Sequence, residues 1–150
     1  MKRNLFFLLS ACLFLLSFRE QNDDAAAIKK LLEKEAATWR SSDVTAHAVC
    51  WHIQPYSRIL VSTADGSTFD VPPENMIKSS ASMGNGGFAL ISNYKVSIHG
   101  NNAWASHDEE STAKDGKKTY SYEIRILEKI NNEWKLVGQS IHIYVPKKVE

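Results

Sequence analysis

The region from residue 88 to residue 145 constrains the fold most, because apolar and polar residues alternate through four long segments separated by short turn signals. Alternation with a period of two is typical of strands that bury one face. Tight turns rich in Gly, Asn and Asp join neighbouring strands into antiparallel hairpins. The pattern predicts a meander of three consecutive hairpins. Its four strands are Phe88–His99, Ala103–Ala113, Thr119–Ile130 and Glu133–Val145.

The residues before this meander predict a helical layer. A first helix begins near Ala25, after Asp23 and Asp24, which are suitable capping residues. A second, shorter helix begins after Asp43 and ends before Pro55, since the residue before a proline disfavours helical geometry. The first helix has its apolar residues on one stripe at helical spacing, and they are Ile28, Leu31, Leu32, Ala36 and Trp39.

A small hairpin is predicted between the helices and the meander. Its strands are Arg58–Thr63 and Thr68–Val71, and Asp65-Gly66 supplies the turn signal. A short helix then begins at Pro72-Pro73 and runs through Ile77. The predicted fold class is therefore α+β, with N-terminal helices packed on the concave face of a curved antiparallel sheet.

The N-terminus has the layout of an export signal. Lys2 and Arg3 precede an apolar run from Leu5 to Leu16, and polar residues begin at Arg19. The run is shorter than the ~20 residues that a membrane-spanning helix needs. We therefore predict an export signal over residues 1–20, a single domain over residues 21–150, and a periplasmic or extracellular location.

Two forms of processing remain open for this signal. The segment Leu9–Cys12 resembles a lipobox, in which the cysteine is lipidated, becomes the mature N-terminus and anchors the protein to a membrane. Alternatively, Cys12 is an ordinary residue of the apolar run, which continues beyond it. In both cases Cys50 is the one cysteine left in the domain, and it cannot form an internal disulfide.

The charge balance argues against a nucleic-acid partner. The chain of 150 residues has 18 Lys and Arg against 17 Asp and Glu, a formal net charge of +1. Three of the basic residues belong to the predicted export signal, so the domain itself is close to neutral. It has no excess of basic residues with which to bind phosphate backbones.

The lengths of the hairpin turns predict which strand residues share a face. Two-residue turns at Gly100-Asn101, Asp115-Gly116 and Asn131-Asn132 place most apolar residues of the meander on an inner face, against the helices. The inner face has Leu90, Tyr94, Val96, Ile98, Ala105, His107, Glu109, Tyr122, Ile124, Ile126, Val137, Gln139, Ile141 and Ile143. The outer face has Asn93, Lys95, Asp108, Glu110, Glu123, Arg125 and Lys135, with Trp104, Leu127, Trp134, Leu136, His142 and Tyr144.

Three polar residues interrupt the predicted apolar inner face: His107, Glu109 and Gln139. Burial of such groups costs free energy unless they are hydrogen-bonded, so their grouping indicates a pocket. Two tyrosines of the sheet would lie beside them, and three aromatic residues of the helical layer would cover them. The predicted ligand-binding residues are Trp39, Trp51, Tyr56, Tyr94, His107, Glu109, Tyr122 and Gln139.

The predicted outer face has large apolar side chains that a monomer would expose. They are Trp104, Trp134, Leu136 and Tyr144. A contiguous exposed patch of this kind is typical of an interaction surface. The C-terminal tail is one candidate to cover it and a second copy of the chain is the other, and we expect a homodimer through this face.

These features resemble the nuclear transport factor 2-like superfamily, in particular its small SnoaL-like members. The resemblance lies in the helix ending in Ala37-Thr38-Trp39, in Asp43 before the second helix, in the Ser62–Gly66 hairpin and in the closing segment Asn131–Val137. It covers about residues 25–145 and implies a cone-shaped α+β barrel, with a pocket between helices and sheet and often a dimer. The superfamily includes isomerase-, cyclase- and dehydratase-type enzymes as well as non-catalytic binding domains.

Three functions are compatible with this pattern. Our leading prediction is non-catalytic binding of a small apolar or amphipathic ligand, because the pocket is aromatic and has few convergent polar groups. The second is a small acid–base enzyme of isomerase, cyclase or dehydratase type, with His107, Glu109 and Tyr122 as catalytic candidates. Against catalysis, the preferred interpretation of His107 and Glu109 is a polar pair satisfied by Tyr94 or Tyr122 at the pocket rim, and Gln139 stands where many relatives have a histidine. The third is a structural dimerisation domain.

We expect no metal and no cofactor. Zinc would need a third close ligand beside His107 and Glu109, and His142 is assigned to the opposite face. Cys50 lies beside Trp51 in a predicted helix and is interpreted as a core residue rather than a nucleophile. The glycine-rich segment Met83–Gly87 lacks the Lys-Ser/Thr pair of a phosphate-binding loop.

Overall fold

Two helices begin the part of the chain that the structure describes. The computed structural model describes residues 23–80, 83–84 and 86–146. Helix α1 covers residues 23–41 and is followed by Ser42 at a φ of 57°. Helix α2 is Val44–Ala48, and the Asp43 carboxylate caps it by accepting a hydrogen bond from the Ala46 N–H at 2.9 Å. Neither of these helices, nor any other helical segment in the described ranges, is long and apolar enough to cross a membrane. The predicted export signal and Cys12 lie outside the described residues.

Six strands follow the helices and form one sheet. The strands are β1 (Ile59–Ser62), β2 (Thr68–Val71), β3 (Phe88–His99), β4 (Asn102–Thr112), β5 (Lys118–Ile130) and β6 (Glu133–Tyr144), with a 3₁₀ helix (Pro73–Ile77) after β2. Their order is β2-β1-β6-β5-β4-β3. All neighbours are antiparallel except β1 and β6, which run parallel. The predicted α+β class and the three-hairpin meander are confirmed, and the parallel β1–β6 pairing makes the sheet mixed.

One hydrophobic core joins α1 to the sheet. Ile28 and Leu32 lie one helical turn apart and are fully buried. They form a cluster with Ala103, Ala105 and Leu127 of the sheet. The other members of this cluster are Cys50, Trp51, Ile59, Met76, Trp134 and Leu136. Burial of each large aliphatic side chain stabilises the fold by about 1.5–3 kcal/mol, so this cluster holds α1 on the inner face of the sheet.

The β4–β5 turn is one residue longer than expected. The Ala113 N–H donates to the Lys117 carbonyl oxygen at 2.9 Å, and the Gly116 N–H donates to the Ala113 carbonyl oxygen at 3.0 Å. The loop between the closing pair therefore has three residues, 114–116, and ends on Gly116 at a φ of 81°. A three-residue loop with glycine in the left-handed conformation is a common alternative to the two-residue turn that was predicted.

This longer turn reverses the two faces of β5. His107 of β4 is paired with Glu123 rather than with Ile124, and a shift of one residue exchanges the faces of a strand. The residues of β5 that are buried on the inner face are Ser121, Glu123, Arg125 and Leu127. Tyr122, Ile124 and Ile126 alternate with them and lie on the outer face. The predicted faces of Tyr122, Ile124 and Ile126, and those of Glu123, Arg125 and Leu127, are therefore wrong.

A β-bulge divides β6 into two stretches. Leu127 of β5 pairs with Leu136, whereas the preceding residue, Ile126, pairs with Gly138. Val137 is therefore an extra residue on β6. An extra residue of this kind interrupts the alternation of side chains along a strand.

The bulge changes which residues of β6 face inward. Before it, Trp134 and Leu136 are buried in the core. Beyond it, Gln139, Ile141 and Ile143 face inward. The prediction that Trp134 and Leu136 lie on the outer face is therefore wrong, because it assumed uninterrupted alternation.

A second irregularity alters the first part of β3. The register with β4 shifts between Ser92 and Lys95, and Asn93 has a φ of 55°. Tyr94 faces inward as expected, but Leu90 pairs with Glu110 and is 58% exposed. The prediction that Leu90 lies on the inner face is wrong for the same physical reason as in β6.

The outer face consequently has a different composition from the one predicted. Trp104 and Tyr144 are exposed there, as expected, and Tyr122 and Ile126 of β5 are exposed beside them. Trp104 and Ile126 are direct cross-strand partners. We use "outer face" below for the surface formed by these four residues.

Two leucine substitutions test the observed faces. Leu127→Ala should lower the free energy of unfolding by about 2–5 kcal/mol, since Leu127 is 0% exposed and its loss leaves a cavity. Leu90→Ala removes the same atoms from an exposed position and should change it by less than about 0.5 kcal/mol. Urea denaturation measures both values. Similar losses in the two variants, or a larger loss for Leu90→Ala, would contradict the register.

Candidate functional site

A cavity of about 550 Å³ lies between α1, the 3₁₀ helix and the inner face of the sheet. We call it the central cavity. Its side formed by β1 and β6 is largely apolar, with Ile59, Val61, Ile141 and Ile143. Its side formed by β4, β5 and α1 is polar, with Glu35, Arg40, Glu109, Ser121, Glu123 and Arg125.

A second cavity of about 830 Å³ lies between the end of α1 and residues 86–91. Glu33 and Lys114 line this second cavity but not the central cavity, and both are exposed. The central cavity instead has four buried charged side chains. Because charged groups are rarely buried without a structural or functional reason, the central cavity is the stronger candidate site.

Arg125 is at the centre of the buried polar groups. Its Nη2 donates to Glu123 on the same strand, and its Nη1 donates to Gln139 on β6. Nη1 also lies 3.5 Å from Glu35 Oε2 on α1. Burial opposes the charged form, but the Glu123 and Glu35 carboxylates outweigh it and raise the pKa of Arg125. The charged guanidinium therefore connects α1 to two strands.

Glu35 also contacts His47 of α2. The His47 Nε2 lies 3.0 Å from Glu35 Oε1, and His47 Nδ1 lies 2.7 Å from the Met76 carbonyl oxygen in the 3₁₀ helix. Both ring nitrogens thus face oxygen atoms, and His47 links α1, α2 and the 3₁₀ helix. Burial alone would raise the pKa of Glu35, but Arg125 and the hydrogen bond with His47 hold that pKa below its ordinary value.

Arg40, near the end of α1, holds Glu109 of β4. Arg40 Nη2 donates to Glu109 Oε1 at 2.5 Å and to Ser111 Oγ at 2.6 Å. Burial and the nearby Glu123 carboxylate raise the pKa of Glu109, and Arg40 offsets only part of this effect. Glu109 is therefore the carboxyl group in the cavity whose proton affinity is raised toward that of a general acid or base.

His107 lies behind the cavity rather than on its surface. Its side chain is 1% exposed, and neither ring nitrogen has a hydrogen-bond partner among the described residues. Its ring centroid is 5.5 Å from that of Tyr94. Burial, followed by the positive charge of Arg125, lowers the pKa of His107. The structure therefore places a neutral imidazole within the core, next to these charged groups. We use "charged network" below for Glu35, Arg40, Glu109, Glu123 and Arg125.

Five of the eight predicted ligand-binding residues lie at the central cavity or beside its charged residues. Trp39, Glu109 and Gln139 line the central cavity. His107 and Tyr94 pack on each other in the interior, beside the charged network. The part of the prediction that concerns binding itself stays a prediction for all five.

The other three predicted residues lie elsewhere. Trp51 is buried in the hydrophobic core and bridges to Leu136 of β6. Tyr56 is exposed, and its Oη donates to Glu128 Oε1 at 2.7 Å. Tyr122 is 41% exposed on the outer face, because of the shifted β5 register.

Four residues of the charged network were missed: Glu35, Arg40, Glu123 and Arg125. A signal for Glu35 was present, since it follows Ile28 by seven residues and Leu32 by three and so interrupts the apolar stripe of α1. Glu123 and Arg125 were seen but assigned to the outer face. A three-residue β4–β5 loop places both residues on the inner face. The Lys114–Lys117 sequence suits a two-residue or a three-residue loop, so it does not decide between the two faces.

Metal binding has no support in the described residues. No group of three or more His, Cys, Asp or Glu side chains in residues 23–80, 83–84 and 86–146 has a geometry that could hold a metal ion.

Cys50 is buried in the core, and burial raises the pKa of its thiol. Both facts disfavour a reactive thiolate at this position.

Comparison with solved structures finds the same architecture in several bacterial proteins. A proposed dehydratase of the nuclear transport factor 2-like family from Streptomyces avermitilis has a TM-score of 0.66 and 12% identity, over 84% of this chain and 99% of that chain. A protein of unknown function with the same kind of fold, from Methylobacillus flagellatus, has a TM-score of 0.61 and 18% identity, over 82% and 94% of the two chains. The chain has the nuclear transport factor 2-like fold.

A third similar structure, from Novosphingobium aromaticivorans, is nuclear transport factor 2-like with a cystatin-like fold. It has a TM-score of 0.63 and 14% identity, over 89% of this chain and 90% of that chain. No family model and no curated protein matches the sequence. The resemblance seen in the sequence is thus confirmed as a fold, and a nuclear transport factor 2-like fold does not by itself define a function.

The buried pair of Glu35 and Arg125 predicts a pH-dependent stability. A carboxyl group whose pKa is lowered by folding stabilises the protein above its unfolded pKa, near 4.5, and this contribution is lost as the pH falls through the folded pKa. Glu35→Gln should therefore lower the free energy of unfolding by about 3–5 kcal/mol at neutral pH. The difference from the wild type should shrink at a pH below 4.5.

Glu33→Gln is the matched control on the same helix. Glu33 forms an exposed pair with Lys29 at 3.9 Å, so its replacement should change the free energy of unfolding by no more than about 1 kcal/mol. Urea denaturation at the two pH values measures both variants. A pH-independent deficit in Glu35→Gln would show that the ion pair is not the cause.

Proposed function

We propose that this protein binds a small amphipathic ligand in the central cavity. The observation that carries the proposal is the division of one cavity into an apolar side, formed by β1 and β6, and a polar side, formed by β4, β5 and α1. An apolar body fits the first side, and a polar head group can hydrogen-bond on the second. Cavities that combine apolar walls with a few fixed polar groups are typical of small-molecule sites.

The size and the rigidity of the cavity support this proposal. Its volume of about 550 Å³ falls within the range of known small-molecule sites, about 300–1,000 Å³. Arg125 and Arg40 fix the polar side through contacts that cross between α1 and three strands. A site built in this way is largely formed before the ligand arrives, which reduces the entropy lost on binding.

The proposed binding function belongs outside the cytoplasm. The basis is the sequence pattern of residues 1–20, namely Lys2 and Arg3 followed by the apolar run. Lipidation at Cys12 would place the same cavity at a membrane surface. We propose export for both forms of processing.

A neutral fluorescent probe tests binding in the central cavity. N-phenyl-naphthylamine is apolar and fluoresces more strongly away from water, so titration with the protein should give a saturable increase. Val61→Trp places an indole ring in the apolar side of the cavity and should weaken this binding by about tenfold or more. Fluorescence titration measures both.

Leu60→Trp is the matched control for this experiment. Leu60 precedes Val61 on β1 and is exposed, since adjacent strand residues point to opposite faces. This variant should bind the probe as the wild type does. Failure of the wild type to bind the probe, or equal binding by Val61→Trp, would overturn the proposed site.

Acid–base catalysis is the second candidate function. The specific observation is Glu109, a carboxyl group of raised pKa that lines the cavity and is held by Arg40. The Streptomyces avermitilis structure is described as a proposed dehydratase, a reaction that needs a proton acceptor and a proton donor. A ligand recovered chemically unchanged after long incubation with the protein would support binding without catalysis.

We also propose that the outer face pairs with a second copy of the chain. Trp104, Tyr122, Ile126 and Tyr144 are each more than 40% exposed there, and Trp104 and Ile126 are adjacent across β4 and β5. Neighbouring apolar side chains of this size are typical of a protein interface. This is a proposal about the surface alone and does not depend on what the cavity binds.

Light scattering at micromolar concentration tests the dimer. The wild type should have the mass of two chains, and Ile126→Lys should have the mass of one, since it places a charge in the middle of the apolar surface. Val49→Lys is the control, because Val49 is also exposed but follows helix α2 and is not one of the four residues of the outer face. A monomeric wild type would refute the proposal.

A further inference from the structure

The three glutamates that line the central cavity differ in how their oxygens are used. Glu123 accepts on both, from Ser121 Oγ at 2.8 Å on Oε1 and from Arg125 on Oε2. Glu35 is also engaged on both, since Oε1 faces His47 Nε2 at 3.0 Å and Oε2 faces Arg125 Nη1 at 3.5 Å. Both carboxylates therefore have a protein partner on each of their oxygens.

Glu109 is different from the other two. Its Oε1 accepts from Arg40 at 2.5 Å, whereas no described residue donates a hydrogen bond to Oε2. The side chain lines the central cavity. One carboxylate oxygen is therefore free at the polar side of the cavity. A carboxylate oxygen that no protein group engages can accept a hydrogen bond from a ligand that supplies a donor.

The two guanidinium groups on the same side already have acceptors on their Nη atoms. Arg40 Nη2 uses its two hydrogens on Glu109 and Ser111, and its Nη1 donates to the Ala36 carbonyl oxygen at 2.9 Å. The Nη atoms of Arg125 contact Glu123, Gln139 and Glu35, and its Nε, which has no partner among the described residues, is buried. An anionic head group would therefore meet a carboxylate oxygen beside guanidinium groups whose Nη atoms are already hydrogen-bonded. Among the cavity-lining residues, Lys117 is the cation outside this network, and it is exposed.

We propose that the central cavity selects ligands with a hydrogen-bond-donating head group, an amine above all, over carboxylates, and that Glu109 Oε2 is the atom that binds this head group. This inference rests on the proposed ligand-binding function and adds the chemical class of the ligand. The apolar body of the ligand then lies against Val61, Ile141 and Ile143. A carboxylate of the same shape would have to turn its head group toward Lys117.

The electrostatics of Glu109 support this assignment. Burial and the Glu123 carboxylate both oppose the ionised form of Glu109 and raise its pKa. An ammonium group beside Oε2 favours the ionised form and forms a charge-assisted hydrogen bond, which is stronger than a neutral one. A neutral alcohol can donate the same hydrogen bond without the charge, so it should bind with intermediate affinity.

Three aromatic probes of one shape test the head-group preference. We expect naphthylmethylamine to bind the wild-type protein about tenfold or more tightly than naphthoate, with naphthylmethanol between them, as measured by isothermal titration calorimetry. Glu109→Gln keeps a carbonyl oxygen for Arg40 but replaces the free acceptor with an NH₂ group. It should weaken binding of the amine by about tenfold and leave naphthoate unchanged or tighter.

Glu110→Gln is the control variant. Glu110 follows Glu109 on β4, points to the opposite face and pairs with Lys118 at 2.5 Å, so this variant should keep the wild-type order of affinities. The order in the wild type does not depend on any variant folding correctly. Naphthoate binding as tightly as the amine, no binding of the amine, or an unchanged amine affinity in a folded Glu109→Gln would overturn the inference.

The same data separate this inference from the function on which it rests. If N-phenyl-naphthylamine binds and is displaced by all three probes with equal affinity, the cavity binds ligands but Glu109 does not select them. If neither that probe nor the three aromatic compounds bind, the proposed function itself is wrong. Binding of all three probes by Val61→Trp as in the wild type would place them outside the central cavity.

Discussion

The buried charge of Arg125 is the constraint on which the rest of the site depends. A guanidinium inside a protein is tolerated only when carboxylates and carbonyl oxygens surround it. Here they come from β5 itself, from Gln139 on β6 and from Glu35 on α1. The contacts therefore hold the helix at a defined distance from the sheet. The central cavity is the space that remains between the helix, held in this way, and the strands on either side.

The local elements of the fold could be predicted from the sequence because each has its own signal. The Asp43 cap, the Asp65-Gly66 turn and the start of the 3₁₀ helix at Pro73 lie where short-range rules place them. The Asn131-Asn132 turn also has the expected two-residue form, with both residues at positive φ and Ile130 paired with Glu133. These signals involve a few adjacent residues, and tertiary packing did not override them.

The site was harder to predict because it depends on the register between strands. One misplaced residue exchanges the two faces for every later residue of the strand. One extra residue in the β4–β5 loop and one at Val137 were enough to exchange Tyr122 with Glu123 and to bring Trp134 and Leu136 into the core. Glu109 was assigned to the correct face, because β4 itself has no extra residue and its side chains alternate as expected. The faces of β5 and of the first part of β6 could not be predicted, because single extra residues change them and leave almost no trace in the hydrophobic pattern.

The bulge at Val137 divides β6 into one stretch that belongs to the hydrophobic core and one that lines the central cavity. Trp134 and Leu136, before the bulge, help to hold the protein together, whereas Ile141 and Ile143, after it, shape the space that a ligand would occupy. Substitutions in the second stretch can therefore alter what the cavity accepts while the first stretch continues to stabilise the fold. In evolutionary terms, a scaffold divided in this way can acquire new ligands without first losing its stability.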